Sequence, residues 1–101
     1  MKPQADCSRE EVAGAVQDAN AVIIDCRTPG ETAGGMVTGA EELDWLAGAW
    51  TEEVVQSLDP AKSYYLYCRS GNRSGQAAKL LRAKGFDSVF NAGAYGSLEG
   101  L

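Results

Sequence analysis

The sequence predicts an α/β domain built on a parallel sheet. Two short runs rich in β-branched or aromatic residues, AVIIDC at 21–26 and SYYLYC at 63–68, read as strands, and capped helical segments separate them. Strands that alternate with helices pair in parallel through right-handed crossovers, which places helices on the faces of the sheet.

Each element has its own signal. SREE at 8–11 fits a capping box with Ser8 as N-cap and Glu11 reaching back, so a first helix runs to about Asp18 with Val12, Ala15 and Val16 on its apolar side. AVIIDC is bounded by Asn20 and the turn TPG, as expected of a strand buried on both faces. The segment 28–50 is rich in glycine and lacks periodicity, which predicts loop with short pieces of structure. TEEVVQSLDP starts on a good N-cap, Thr51, and stops at Pro60, which gives a second helix. After the strand SYYLYC, residues 74–85 read as a helix with Ser74 as N-cap and Gly85 as stop, and DSVFN at 87–91 supplies a last short strand.

Composition narrows the function. The 101 residues are 45% hydrophobic, enough for one modest core. The longest apolar runs are far too short to span a bilayer, and MKPQADCSRE has no apolar signal-peptide core, so a soluble, cytoplasmic protein is expected, the alternative being a periplasmic protein whose leader has been removed. No membrane partner is expected. Three cysteines without a CxxC pair argue against a disulfide framework and against a zinc site, so at least one thiol is free. The net charge of −5 makes nucleic acid an unsuitable partner. Charge is segregated, however: residues 61–86 hold six basic residues and no acidic one, which leaves three basic against fourteen acidic residues elsewhere.

That basic segment contains CRSGNRSG, residues 68–75. In parallel α/β sheets ligands bind beyond the carboxyl ends of strands. Cys68 closes a strand there, just before a loop entering a helix. A glycine in the loop lets its amides turn inward as an anion nest. Arg69 and Arg73 add planar donor forks suited to oxyanions. Amides, helix N-terminus and arginines together favour thiolate over thiol, so a nucleophilic Cys68 needs no histidine, and the chain has none. The loop residues Arg69, Ser70, Gly71, Asn72, Arg73 and Ser74 are the candidate substrate binders. Asp25 and Arg27 read as structural support, tying the end of their strand to the neighbouring loop by hydrogen bonds. Cys26 reads as packing within the strand and Cys7 as incidental, with a role for Cys7 as a second reactive thiol left open.

CRSGNRSG, followed by an alanine- and leucine-rich helix, then GF and V-x-N, resembles the active-site segment of rhodanese-type sulfurtransferases. DCRTPGETAGGMVTGA at 25–40 is similar to their upstream signature, with Asp25, Arg27, Glu31, Gly35 and Gly39-Ala40 at the recurring spacing. The resemblance covers nearly the whole chain and is strongest to small single-domain members, including phage-shock-protein-E-like ones. It implies a single rhodanese-like α/β domain over 1–101, a parallel sheet of about four to five strands with helices on both faces. Cys68 then accepts a sulfane sulfur as a persulfide, and the following loop holds the oxyanion end of a donor such as thiosulfate. The acceptor is cyanide, a thiol or a protein, and no metal or organic cofactor is required. The chain departs from the family where Thr32 and Met36 replace a usual aromatic residue and a histidine, where Gly93-Ala94 replaces Gly-Gly, and where Cys26 replaces a usual valine.

Two other readings stay open on the sequence. Cysteine-dependent phosphatases share the fold and the logic of a thiolate in an amide nest. They place five residues between nucleophile and arginine, whereas RSGN puts four between Cys68 and Arg73. A non-catalytic binding module or a sulfur relay to a protein partner is the other, and retention of Cys68 within a full basic loop weighs against the former.

Overall fold

The computed structural model describes residues 5–101, so the start of the stretch read for a leader lies outside the described residues. In chain order the elements are α1 (Arg9–Val16), β1 (Ala21–Asp25), α2 (Pro29–Thr32), β2 (Glu41–Glu42), α3 (Glu52–Ser57), β3 (Ser63–Cys68), α4 (Asn72–Ala83) and β4 (Val89–Ala94), followed by a 3-10 turn at Tyr95–Ser97. The four strands form one sheet in the order β2-β1-β3-β4, and all three pairings are parallel. No helix among the described residues is long and apolar enough to cross a membrane.

Local chemistry sets the boundaries. Ser8 Oγ accepts the Glu11 N–H at 3.2 Å and Glu11 Oε1 accepts the Ser8 N–H at 2.9 Å, both halves of a capping box. α1 stops at Val16, earlier than Asp18, because the Asp18 carboxylate takes the Asn20 N–H at 2.8 Å and its carbonyl takes the Ala21 N–H at 3.0 Å, which turns the chain into β1. Thr51 caps α3 through the Val54 N–H at 3.2 Å. Within the expected loop 28–50, α2 and β2 are the short pieces. α4 begins at Asn72, two residues before Ser74, because Gly71 at φ 94° serves as N-cap and Ser74 does not. β4 extends to Ala94, beyond Asn91. The pair β3–β4 changes register between Leu66 and Tyr67, opposite Asn91 and Gly93, and Gly93 at φ 86° supplies the bulge.

Alternation along β1 and β3 divides the core into two layers. Ile24, Tyr64, Leu66 and Cys68 pack with Val55 of α3 and with Ala77, Ala78 and Leu81 of α4, while Ile23 and Tyr67 pack with Val12 and Ala15 of α1 and with Leu98. Helices therefore cover both faces. Burying Leu81 alone stabilises the fold by about 2 kcal/mol, and its truncation to alanine costs about 2–5 kcal/mol. The same parity aims Cys68 at α4, whose N-terminus meets it.

Candidate active site

Cys68 is fully buried at the carboxyl end of β3, under the loop that leads into α4. The Gly71 N–H donates to its Sγ at 3.0 Å, and Ser74 Oγ lies 3.4 Å from the same sulfur. Gly71 is required on two counts: its φ is positive, and a Cβ there would stand 3.2 Å from Gly93 Cα. The bulge in β4 thus leaves the space through which the loop closes. Asn91, also on β4, donates from Nδ2 to the Gly71 carbonyl at 2.9 Å, while its Oδ1 accepts the Gly93 N–H at 3.0 Å and lies 2.7 Å from Ser74 Oγ.

Burial pushes the Cys68 thiol up, but hydrogen bonds from the Ser74 hydroxyl and from the N–H groups of Ser74, Ser70 and Gly71 outweigh it and leave the thiol below its ordinary value. The other two thiols go the opposite way. Burial, with Glu11 and Asp6 nearby, pushes Cys7 up to about 11. Burial, with Cys68 and Asp25 nearby, raises Cys26 far above the thiol range. Of the three free cysteines, Cys68 alone is poised to ionise.

The sequence assigns both arginines to the anion cradle, but the structure gives them different surroundings. Arg73 is engaged: its two Nη atoms reach Glu31 Oε1 and Oε2 at 2.7 and 2.9 Å. Glu31 Oε1 also accepts the Thr28 N–H at 3.0 Å and the Thr28 hydroxyl at 3.1 Å, closing α2. Arg69 is exposed and makes no ion pair among the described residues. It lines a cleft of about 390 Å³ together with Arg27, Glu31, Tyr95, Gly96 and Glu99. Ser70 is half-buried, with its Oγ 3.4 Å from the Asn72 N–H, and the Asn72 side chain faces solvent. Ser74 is fully buried, so its hydroxyl faces the sulfur and Asn91 and not solvent.

Asp25 and Arg27 form a buried pair. Asp25 accepts from the Arg27 N–H at 2.9 Å, from Nε at 3.0 and 3.1 Å and from Nη2 at 2.8 Å. Arg27 Nη2 also donates to the Gly35 carbonyl at 2.6 Å, and the guanidinium lies 4.1 Å from the Tyr95 ring centroid. The pair fastens the end of β1 to the loop before β2 and forms one wall of the cleft. Thr32 is buried with its hydroxyl against the Glu42 carboxylate, and Met36 is half-buried; neither belongs to the Cys68 loop. Sequence reasoning placed Asn91 and Glu31 in the motifs without giving either a role. An asparagine in an apolar strand and TPGE as a second capping box were the signals available.

A family model described as Rhodanese-like domain matches residues 8–95. The chain is 32% identical over 95 residues to a chloroplastic rhodanese-like/PpiC domain-containing protein of Arabidopsis thaliana, covering 89% of this chain and 32% of that protein. It is 33% identical over 81 residues to a thiosulfate sulfurtransferase of Pseudomonas entomophila, covering 80% of this chain and 72% of that one. A solved rhodanese-like domain protein from Staphylococcus aureus superposes with a TM-score of 0.75 at 27% identity, over 93% of this chain and 92% of that chain. Several of the curated relatives are longer, and the chain spans less than two thirds of their length.

Proposed function

We propose, on the premise that this chain belongs to the rhodanese-like domain family, that it is a sulfurtransferase in which Cys68 carries a sulfane sulfur from thiosulfate to cyanide or a thiol. The observation that carries the reading is the contrast among the thiols: Cys68 alone is lowered, and it sits in a ring of inward-turned amides. A relative over most of its length is named for thiosulfate sulfurtransfer, which supports the choice of donor.

Two half-reactions follow. The Cys68 thiolate attacks the outer sulfur of thiosulfate, a bond forms between the two sulfurs, and the S–S bond of the donor breaks with its electron pair leaving on sulfite. Arg69, in the cleft beside the loop, meets the sulfonate while the loop amides hold charge at the reacting sulfur. The protein then holds a Cys68 persulfide. Cyanide or a thiolate attacks the outer persulfide sulfur and departs as thiocyanate or a new persulfide, which returns Cys68 to thiolate.

Intact mass after incubation with thiosulfate tests this. The protein should gain one sulfur atom and lose it on adding cyanide, with thiocyanate formed; Cys68→Ser should abolish the gain, whereas Cys7→Ser should retain it. Sulfur uptake that survives in Cys68→Ser would sink the assignment.

A further inference from the structure

We propose that Asn91 is a positioning residue that decides which acceptor receives the single hydroxyl proton of Ser74, and through that choice sets the acidity of Cys68. The proposal rests on Cys68 being the nucleophile, but its test reads thiol acidity and not sulfur transfer, so the two readings fail separately.

A serine hydroxyl has one proton and two lone pairs. Ser74 Oγ has two neighbours that can accept that proton, Asn91 Oδ1 at 2.7 Å and Cys68 Sγ at 3.4 Å. It cannot serve both. The Asn91 amide cannot turn over to relieve the competition, because Nδ2 donates to the Gly71 carbonyl at 2.9 Å and Oδ1 accepts the Gly93 N–H at 3.0 Å. The reversed amide would set donor against donor and acceptor against acceptor. Ser74 is fully buried and Asn91 nearly so.

Two arrangements of the proton follow. With Cys68 as thiol, its S–H donates to Ser74 Oγ and Ser74 donates to Asn91, so every group is satisfied. With Cys68 as thiolate, the sulfur only accepts, and the Ser74 proton must leave Asn91 and swing to it; Asn91 Oδ1 then keeps Gly93 alone. Asn91 therefore competes with the thiolate for one proton. When a persulfide forms, the charge moves to the outer sulfur, Sγ no longer claims the proton, and it returns to Asn91. The titratable groups that act on Cys68 from its neighbours are Cys26 beyond β1 and Arg73 of α4, the latter held by Glu31. From β4 comes the uncharged Asn91, behind which Asp6 takes the Asn91 N–H and pairs with Arg82.

The test is the thiolate absorbance of Cys68 against pH in a Cys7→Ser background, supported by its alkylation rate with iodoacetamide. Ser74→Ala should raise the Cys68 pKa. Asn91→Ala should lower it by roughly half to one pH unit, the size of one hydrogen bond, and should no longer lower it once Ser74→Ala is present, where only the lost bond to Gly71 acts. A residue that merely braced the loop would give the opposite sign, since loss of its bond to Gly71 loosens the amide that stabilises the thiolate. Should Asn91→Ala fail to fold, Asn91→Asp keeps the shape and strengthens the acceptor: the pKa should rise, and rise less when Ser74→Ala is present. A higher or unchanged pKa in Asn91→Ala, or an equal rise from Asn91→Asp with and without the Ser74 hydroxyl, overturns the proposal.

Discussion

Glu31 and Arg73 stand 42 positions apart in sequence and meet in a two-pronged pair of 2.7 and 2.9 Å, which ties α2 to the start of α4. The contact fixes the far end of the Cys68 loop. Hydrogen bonding from Arg73, followed by the Thr28 groups and against the cost of burial, holds the Glu31 carboxyl down at about 2, below its ordinary 4.5. A carboxyl with a depressed folded pKa stabilises fully above its unfolded pKa and loses that contribution as pH falls through the folded one. Stability should therefore decline from about pH 4.5 towards pH 2. Screening at this partly exposed pair reduces the full linkage value, which leaves on the order of 1–2 kcal/mol. Denaturant midpoints against pH should show Glu31→Gln less stable at neutral pH and with a flatter acid limb. Parallel acid limbs in the two proteins would contradict the assignment.

The two loop arginines should separate kinetically. Arg69 is exposed, unpaired among the described residues and lines the cleft, so Arg69→Ala should raise KM for thiosulfate several-fold to tenfold, the loss of about one solvent-exposed hydrogen bond, and leave Tm unchanged. Arg73→Ala leaves Glu31 without its partner and should lower both Tm and kcat. Steady-state kinetics and melting curves on both variants make the comparison. Matching, purely kinetic effects would rule out the division.

Much of this arrangement was legible because it follows from burial. β1 and β3 lie between two helix layers, so their runs are apolar or aromatic apart from Asp25 and Ser63 at their ends, and the end of β3 put Cys68 before a helix. β2 was not legible: its two residues are exposed glutamates that pair through the backbone beside β1. The start of α4 was misplaced at Ser74 because a serine is the commoner cap, whereas here Gly71 at positive φ takes that place. That error concealed chemistry, since a capping Ser74 would have no hydroxyl to spare for Cys68. Asn91 became visible as part of the site only through the β4 bulge, which depends on pairing and not on composition.

The Asp25–Arg27 pair should be structural in its effects. Both side chains are almost entirely buried and hydrogen-bonded to each other. Asp25→Ala strands a buried guanidinium and should cost about 3–5 kcal/mol. Chemical denaturation measures it, and a loss below about 1 kcal/mol, the value of an exposed pair, would show that water reaches Arg27 freely.

Loop length decides between sulfur and phosphate chemistry. Four residues separate Cys68 from Arg73, and the structure shows what holds them so short: Gly71 lies against Gly93, its N–H points at the sulfur at 3.0 Å, and its carbonyl is held by Asn91. The wild type should transfer sulfur from thiosulfate and show negligible turnover of an aryl phosphate. Inserting one glycine after Gly71 adds an N–H and up to about 3.5 Å of chain, which widens the ring of amides. Sulfur transfer should then fall on the order of a hundredfold, because a misplacement of about 1 Å costs that much in near-attack alignment. The wider ring should also bind vanadate more tightly, although aryl phosphate turnover stays low because no acid for the leaving group faces the sulfur from the loop. Thiosulfate turnover, aryl phosphate turnover and vanadate inhibition on both proteins measure the three outcomes together. A wild type that hydrolyses aryl phosphate faster than it transfers sulfur would reverse the choice, since a nest of this size would then accommodate a phosphoryl group after all.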